Sequence, residues 1–280
     1  MRPTLAVALL CSLLLAFPGS NLSLGAADPA AHPQARPQPD ISRHFAGITG
    51  TFVLLKGSTG EYQRYNATRA AQRFPPCSTF KIPNTAILLE SGAATGPDHL
   101  LKYDPALAVS RPEWAKDHTL RSAYAASVLW YYQALGRTAG QAVEDRFVRQ
   151  FRYGNQNTSG GMTVTGRPFW VDGSLRISAN EQVDFLKRLH EGALGLSERT
   201  TRLTKEIMIA ETTPAWTLRG KTGACGPPGE EVSLWYVGSV DKKDATYYFA
   251  LQMGDTQYDR LFAQRVTKAR DILRDLHVLD

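Results

Sequence analysis

The sequence predicts an α/β protein of the α+β type, with a sheet built from its N- and C-terminal segments and a mainly helical stretch inserted between them. Three observations carry this. β-rich runs lie near residues 50–65, strand-like runs return between 216 and 253, and helical spacing of apolar residues fills the middle and the last twenty residues.

Taken in order, Gly50 to Lys56 (GTFVLLK) and Glu61 to Tyr65 are strand candidates, and Gly57-Ser58-Thr59-Gly60 between them reads as a hairpin turn. From Ile82 to about Thr204 the pattern is helical: Asn84 to Ser91 closed by Gly92, Arg121 to Leu135 closed by Gly136, and Asn180 to Glu191 closed by Gly192. Trp216 to Lys221, Ser233 to Val240 and Thr246 to Met253 are strands, the last two joined by Asp241-Lys242-Lys243-Asp244. A final helix runs from about Asp259 to His277, with Leu261, Phe262, Val266, Ala269, Ile272, Leu273 and Leu276 at helical spacing.

The first residues have a different character. Arg2, an apolar stretch from Leu5 to Phe17 and the small residues Gly25-Ala26-Ala27 read as a secretory signal peptide over 1–27, too short to span a membrane stably. Cys11 then belongs to the discarded leader. Residues 28–40 are proline-rich and apolar-poor, hence a flexible lead-in. Residues 41–280 form a single catalytic domain, with a sheet lobe at about 41–80 and 205–280 and a helical lobe at about 81–204.

Charge narrows the function. The 32 basic and 26 acidic residues are interspersed, without a Lys/Arg run or a basic stripe, so a nucleic-acid partner has no support and attraction for small anions is the fairer reading. The six histidines form no close pair with metal-ligand spacing, so no metal is expected.

Two short motifs carry chemistry. Cys77-Ser78-Thr79-Phe80-Lys81 contains Ser-x-x-Lys, and Lys221-Thr222-Gly223 follows in the last quarter of the chain, a pair linked to serine β-lactamases and penicillin-binding proteins. A serine hydroxyl needs an adjacent base to become a nucleophile, and a spacing of three on a helix sets Lys81 over the same face as Ser78. Ser-x-x-Lys alone arises by chance roughly once in a chain this long, so its weight comes from the company it keeps.

With those residues in place, the chain resembles the class D serine β-lactamases, the oxacillinase type. The resemblance rests on Pro76-Cys77-Ser78-Thr79-Phe80-Lys81-Ile82-Pro83-Asn84, Trp114-Ala115-Lys116-Asp117-His118, Ser127, Tyr153-Gly154-Asn155, Phe169-Trp170-Val171-Asp172-Gly173, Arg176-Ile177-Ser178 and Lys221-Thr222-Gly223. It implies a serine β-lactamase/penicillin-binding transpeptidase-like fold, with an antiparallel sheet of about five to seven strands flanked by helices. The implied activity is β-lactam hydrolysis through a serine acyl-enzyme, hence antibiotic resistance, in a periplasmic protein that is a monomer or weak homodimer without stable membrane insertion.

The resemblance also assigns roles. Ser78 is the nucleophile, and Lys81 captures CO₂ (from bicarbonate) as a carbamate, N6-carboxylysine, that acts as general base. Trp170 holds that carbamate with its indole N–H, Ser127 passes a proton to the departing nitrogen, and Lys221 tunes it. The backbone N–H groups of Ser78 and Ala224 form the oxyanion hole. Thr222 and Gly223 bind substrate, and Arg265, with Arg260 as the alternative, receives the substrate carboxylate. Leu129 stands where the family's second motif usually has valine, adding a methylene to the wall beside Lys81.

Bland readings stand beside these: Ser78 as a helix N-cap, Lys81 as a solvated lysine, Trp170 as core, Ser127 as a buried hydroxyl, and Arg265 or Arg260 as a surface cation. Cys77 and Cys225 flank the two main motifs, so a disulfide is expected in an oxidising compartment, with two separate buried thiols as the alternative. A β-lactam sensor or transpeptidase that acylates without turnover is the competing function, and an inactive scaffold is a third.

Overall fold

A computed structural model describes residues 39–163, 166–226, 231–255 and 261–280. Among them ten strands occur: β1 (Thr49–Lys56), β2 (Glu61–Tyr65), β3 (Arg73–Phe74), β4 (Leu100–Leu101), β5 (His118–Thr119), β6 (Ile177–Ser178), β7 (Ile209–Thr212), β8 (Trp216–Cys225), β9 (Val232–Lys242) and β10 (Thr246–Asp255). The helices are α1 (Ala67–Ala71), α2 (Lys81–Glu90), α3 (Leu120–Ala125), α4 (Leu129–Ala139), α5 (Gln141–Gln150), α6 (Phe169–Asp172), α7 (Ala179–His190), α8 (Glu198–Ile207) and α9 (Gln264–Asp275).

Six strands form one antiparallel sheet in the order β2-β1-β10-β9-β8-β7, so the two ends of the chain do share it. Alternation along the central strands divides the core, because successive side chains point to opposite faces. Val53, Leu55, Trp235, Val237 and Ala250 face the helical segment, whereas Phe52, Leu54, Leu234, Tyr236, Phe249 and Leu251 face Ala269, Ile272 and Leu273 of α9. Both faces of the sheet are therefore covered. Helix α7 starts at a capping box in which the Ser178 hydroxyl accepts from Glu181 N and the Glu181 carboxylate accepts from Ser178 N, satisfying two of the otherwise orphaned donors.

Several boundaries differ from the sequence reading. The single helix expected over 121–135 is two, α3 and α4, broken where Ser127 takes a left-handed φ of 60° and Val128 is extended. No glycine or proline marks that break. Gly136, read as a stop, lies inside α4, and the space a side chain would need is filled by Met162 and the Glu144 carboxyl. The helix ends instead at Gly140, whose φ of 93° suits a residue without a Cβ. Helix α2 begins at Lys81 rather than Asn84, since Pro83 is tolerated in a first turn, where its missing N–H is no loss. Of the expected final helix, Asp259 and Arg260 lie outside the described residues, and α9 is regular from Gln264 to Asp275. No described helix is long and apolar enough to cross a membrane. Residues 1–27, expected from the sequence to be a leader, also lie outside the described residues.

Candidate active site

The short 3-10 helix Cys77–Phe80 runs directly into α2, which sets Ser78 and Lys81 one turn apart. Lys81 Nζ lies 3.1 Å from Ser78 Oγ. Lys81 is only 1 % exposed, and its amine sits 5.2 Å from the Tyr132 ring centroid. Burial pushes its pKa well below the ordinary lysine value, and the charges of Lys221 and Arg111 push the same way, so the neutral amine is favoured.

The turn that carries Ser78 is fixed from several sides. Tyr153 Oη donates to Gln182 Oε1 (3.2 Å), Gln182 Nε2 donates to Thr79 Oγ1 (2.8 Å), and Thr79 Oγ1 donates to Pro76 O (2.7 Å). Trp235 Nε1 donates to Pro75 O at 2.9 Å. Cys77, in the left-handed region at φ 52°, is disulfide-bonded to Cys225, the pairing expected from the sequence. A non-glycine residue in that region costs about 1–3 kcal/mol and persists only where its surroundings impose it.

Strand β8 supplies the opposite wall, held along its length by β9 with Lys221 opposite Val237 and Gly223 opposite Trp235. At Gly223 a Cβ would lie 2.8 Å from Pro76 O and 3.0 Å from the Thr79 methyl, so the motif's glycine is what lets strand and turn close on each other. Lys221 is buried, and desolvation, with Arg265 and Arg111 adding repulsion, lowers its pKa to about 7. Its amine lies 5.6 Å from the Tyr124 ring centroid.

The third wall is the break between α3 and α4. Two indoles brace it: Trp114 Nε1 donates to Ala126 O and Trp130 Nε1 donates to Trp114 O, both at 2.9 Å. Behind the Ser78 turn, Trp170 stacks on Phe80 (5.3 Å, 20°), and Phe169 meets both edge-on. Trp170 is fully buried, and its Nε1 is a donor with no hydrogen-bond acceptor among the described residues. Asn155 fixes the loop after it, donating from Nδ2 to Ser174 O (2.8 Å) and accepting from Arg176 N (2.9 Å).

Ser78, Ser127, Thr222, Gly223, Ala224 and Arg265 line one cleft of about 90 Å³, together with Trp114, Phe262 and Arg111. Arg265 packs over the Phe262 ring at 3.7 Å and donates to the Phe262 carbonyl. Leu129 lines a cavity of about 400 Å³ together with Trp114 and Trp130, and among the described residues it is not part of the lining of the Ser78 cleft. A larger groove of about 670 Å³ beside α7 and α8, lined by His190, Lys205 and Arg219, holds none of the predicted site residues. Sequence reasoning missed Tyr132, Arg111 and Phe262. In the sequence Phe262 reads as part of the apolar stripe that orients Arg265, and nothing local marks the other two. No group of three or more potential metal ligands occurs among the described residues.

Comparison with known proteins agrees with this geometry. Residues 48–275 match the penicillin binding protein transpeptidase domain. The chain is 36 % identical over 208 residues to the β-lactamase OXA-10 of Pseudomonas aeruginosa, covering 74 % of this chain and 76 % of that one. It is 32 % identical over 205 residues to the regulatory protein BlaR1 of Bacillus licheniformis, covering 73 % of this chain and 33 % of that one. Among solved structures, the class D β-lactamase YbXI from Nostoc superposes with a TM-score of 0.79 at 34 % identity, over 86 % of this chain and 99 % of that one. The fold and these matches thus define a serine protein of the penicillin-recognising type. The chain belongs to the class D serine β-lactamase family.

Proposed function

We propose that this chain hydrolyses β-lactam antibiotics through an acyl-enzyme on Ser78, exported to the periplasm behind the leader over 1–27 and a flexible segment over 28–40, with 41–280 as the catalytic domain. The observation that carries the reading is a wholly buried Lys81 amine, depressed in pKa, 3.1 Å from the Ser78 hydroxyl. An amine that has shed its proton can accept one, which an ammonium cannot.

Ser78 Oγ attacks the lactam carbonyl as its proton passes toward Lys81, and the developing oxyanion is received by the backbone N–H groups of Ser78 and Ala224. The C–N bond then breaks. Ser127 gives the ring nitrogen its proton, and Lys221, near neutrality in pKa, resupplies that hydroxyl. Thr222, Gly223 and Arg265 hold the substrate carboxylate, for which a planar guanidinium and a hydroxyl are suited partners.

Carboxylation of Lys81 by CO₂ would supply a stronger general base for acylation and for activating the water that releases the acyl group. The residues fit it: a neutral amine to react, and at Trp170 a buried indole N–H lacking an acceptor among the described residues. Water attack on the ester then frees Ser78.

The likeness to BlaR1 favours a second reading, acylation without release. Incubation with a chromogenic cephalosporin in bicarbonate buffer separates the two. Many turnovers per protein are expected, whereas one stoichiometric burst would transfer the assignment to a sensor or transpeptidase.

A further inference from the structure

The cleft holds more positive charge than one substrate carboxylate uses. Arg111 and Arg265 approach the same Phe262 ring, at 5.5 and 3.7 Å, from the segment before the Pro112–Trp114 turn and from α9. Both arginines line the cleft around Ser78, Ser127 and Thr222, and among the described residues none that lines it is acidic. Arg111 also lies 5.5 Å from the Trp114 ring, and among the described residues its ion-pair partner is the exposed carboxylate of Glu113, 3.8 Å away. At 39 % exposure it retains solvent access while lining the cleft.

The chemistry of the substrate decides what the two arginines receive. In a β-lactam the bond that breaks joins the carbonyl to the ring nitrogen, and the core carboxylate sits on the carbon next to that nitrogen. A nitrogen presented to Ser127 therefore carries the fused ring toward Arg265, Phe262 and Arg111. The acyl side chain, on the other side of the carbonyl, points away from them. One carboxylate satisfies Arg265, and Arg111 remains.

We infer that Arg111 is a specificity-determining residue that recognises a second ionised group borne on the fused ring of the substrate, beside the core carboxylate. The inference rests on the roles given above to Ser127 and Arg265. A fork of guanidinium donors suits a sulfonate or carboxylate, and its place against two rings reduces the freedom lost on binding.

Cefonicid and cefamandole test this, since they share core and acyl side chain and differ by one sulfonate on the substituent at the fused ring. Second-order acylation constants are read by intact mass, so the result does not depend on turnover. Arg111→Ala is expected to slow cefonicid more than cefamandole by about three- to tenfold, the range of a partly exposed charge pair, with Arg111→Lys recovering part of the difference. In the companion pair, carbenicillin and benzylpenicillin, the extra carboxylate is on the acyl side chain, and the substitution is expected to affect both alike. Equal slowing of the two cephalosporins would overturn the inference, as would a separation appearing in the penicillin pair instead. Acylation that never turns over would refute hydrolysis while leaving the Arg111 ratio measurable. Absence of acylation by all four compounds would overturn both.

Discussion

Cys77, the residue before Ser78, is disulfide-bonded to Cys225, two residues after Gly223, so one covalent link joins the two segments that form the cleft. The partners are 148 positions apart in the chain. Closing so long a loop constrains the unfolded chain most, by about 4–5 kcal/mol in the chain-entropy account. Reduction, or Cys77→Ser with Cys225→Ser, is expected to lower the urea midpoint strongly and to slow acylation less than it lowers stability. Urea titrations with and without reductant check it.

Lys221 sets a pH dependence whose sign follows from burial. Its folded pKa is lowered to about 7 from 10.5, so between those values the unfolded chain binds more protons than the folded one. Stability contributed by this residue therefore rises as pH increases through that window, by up to about 1.4 kcal/mol per pH unit. Lys81 is shifted in the same direction, so the comparison is made against Lys221→Met. The wild-type chain is expected to gain on that variant between pH 7 and 9 in chemical denaturation. A constant difference would show that Lys221 stays charged in the folded state.

Arg265→Ala should raise KM for a penicillin by about 10- to 100-fold, the worth of a hydrogen bond to a charged group, with a smaller effect on kcat. Steady-state kinetics on benzylpenicillin measure it, and Arg265→Lys should fall between.

Trp170→Ala is expected to slow deacylation more than acylation, with added bicarbonate restoring part of the loss. Rapid-quench mass spectrometry resolves the two steps. Equal slowing of both would leave Trp170 as a packing residue on Phe80.

Gly223→Ala would push a methyl against Pro76 O and the Thr79 side chain. Because backbone rather than a flexible side chain blocks the space, the strand and the Ser78 turn must separate. Loss of acylation by at least about tenfold is expected, along with a loss of stability of about 1–3 kcal/mol, as for overpacked sites. Acylation rates and a urea titration of the purified variant check both.

Local residues made part of this structure legible. The hairpin over 49–65 was readable from its apolar runs and the Gly57–Gly60 turn, and the approach of Lys81 to Ser78 from a spacing of three. The break at Ser127 was not, because the indole hydrogen bonds that brace it run between Trp114 and Ala126 and between Trp130 and Trp114, 12 and 16 residues apart, and leave no local signal. Arg265 could be singled out because it follows Phe262 by three residues and so shares its face. Arg111 could not, since its place at the cleft depends on a segment some 150 residues later that supplies Phe262. The network from Tyr153 through Gln182 to Thr79 joins three separate segments and likewise has no local signature.

The sharpest test of a neutral, carboxylatable Lys81 is ¹³C NMR of the protein equilibrated with ¹³C-bicarbonate, with Lys81→Ala as the blank. One protein-bound carbamate carbon is expected, absent from the variant and rising in step with the return of deacylation. Full turnover in CO₂-depleted buffer with no such signal would contradict it.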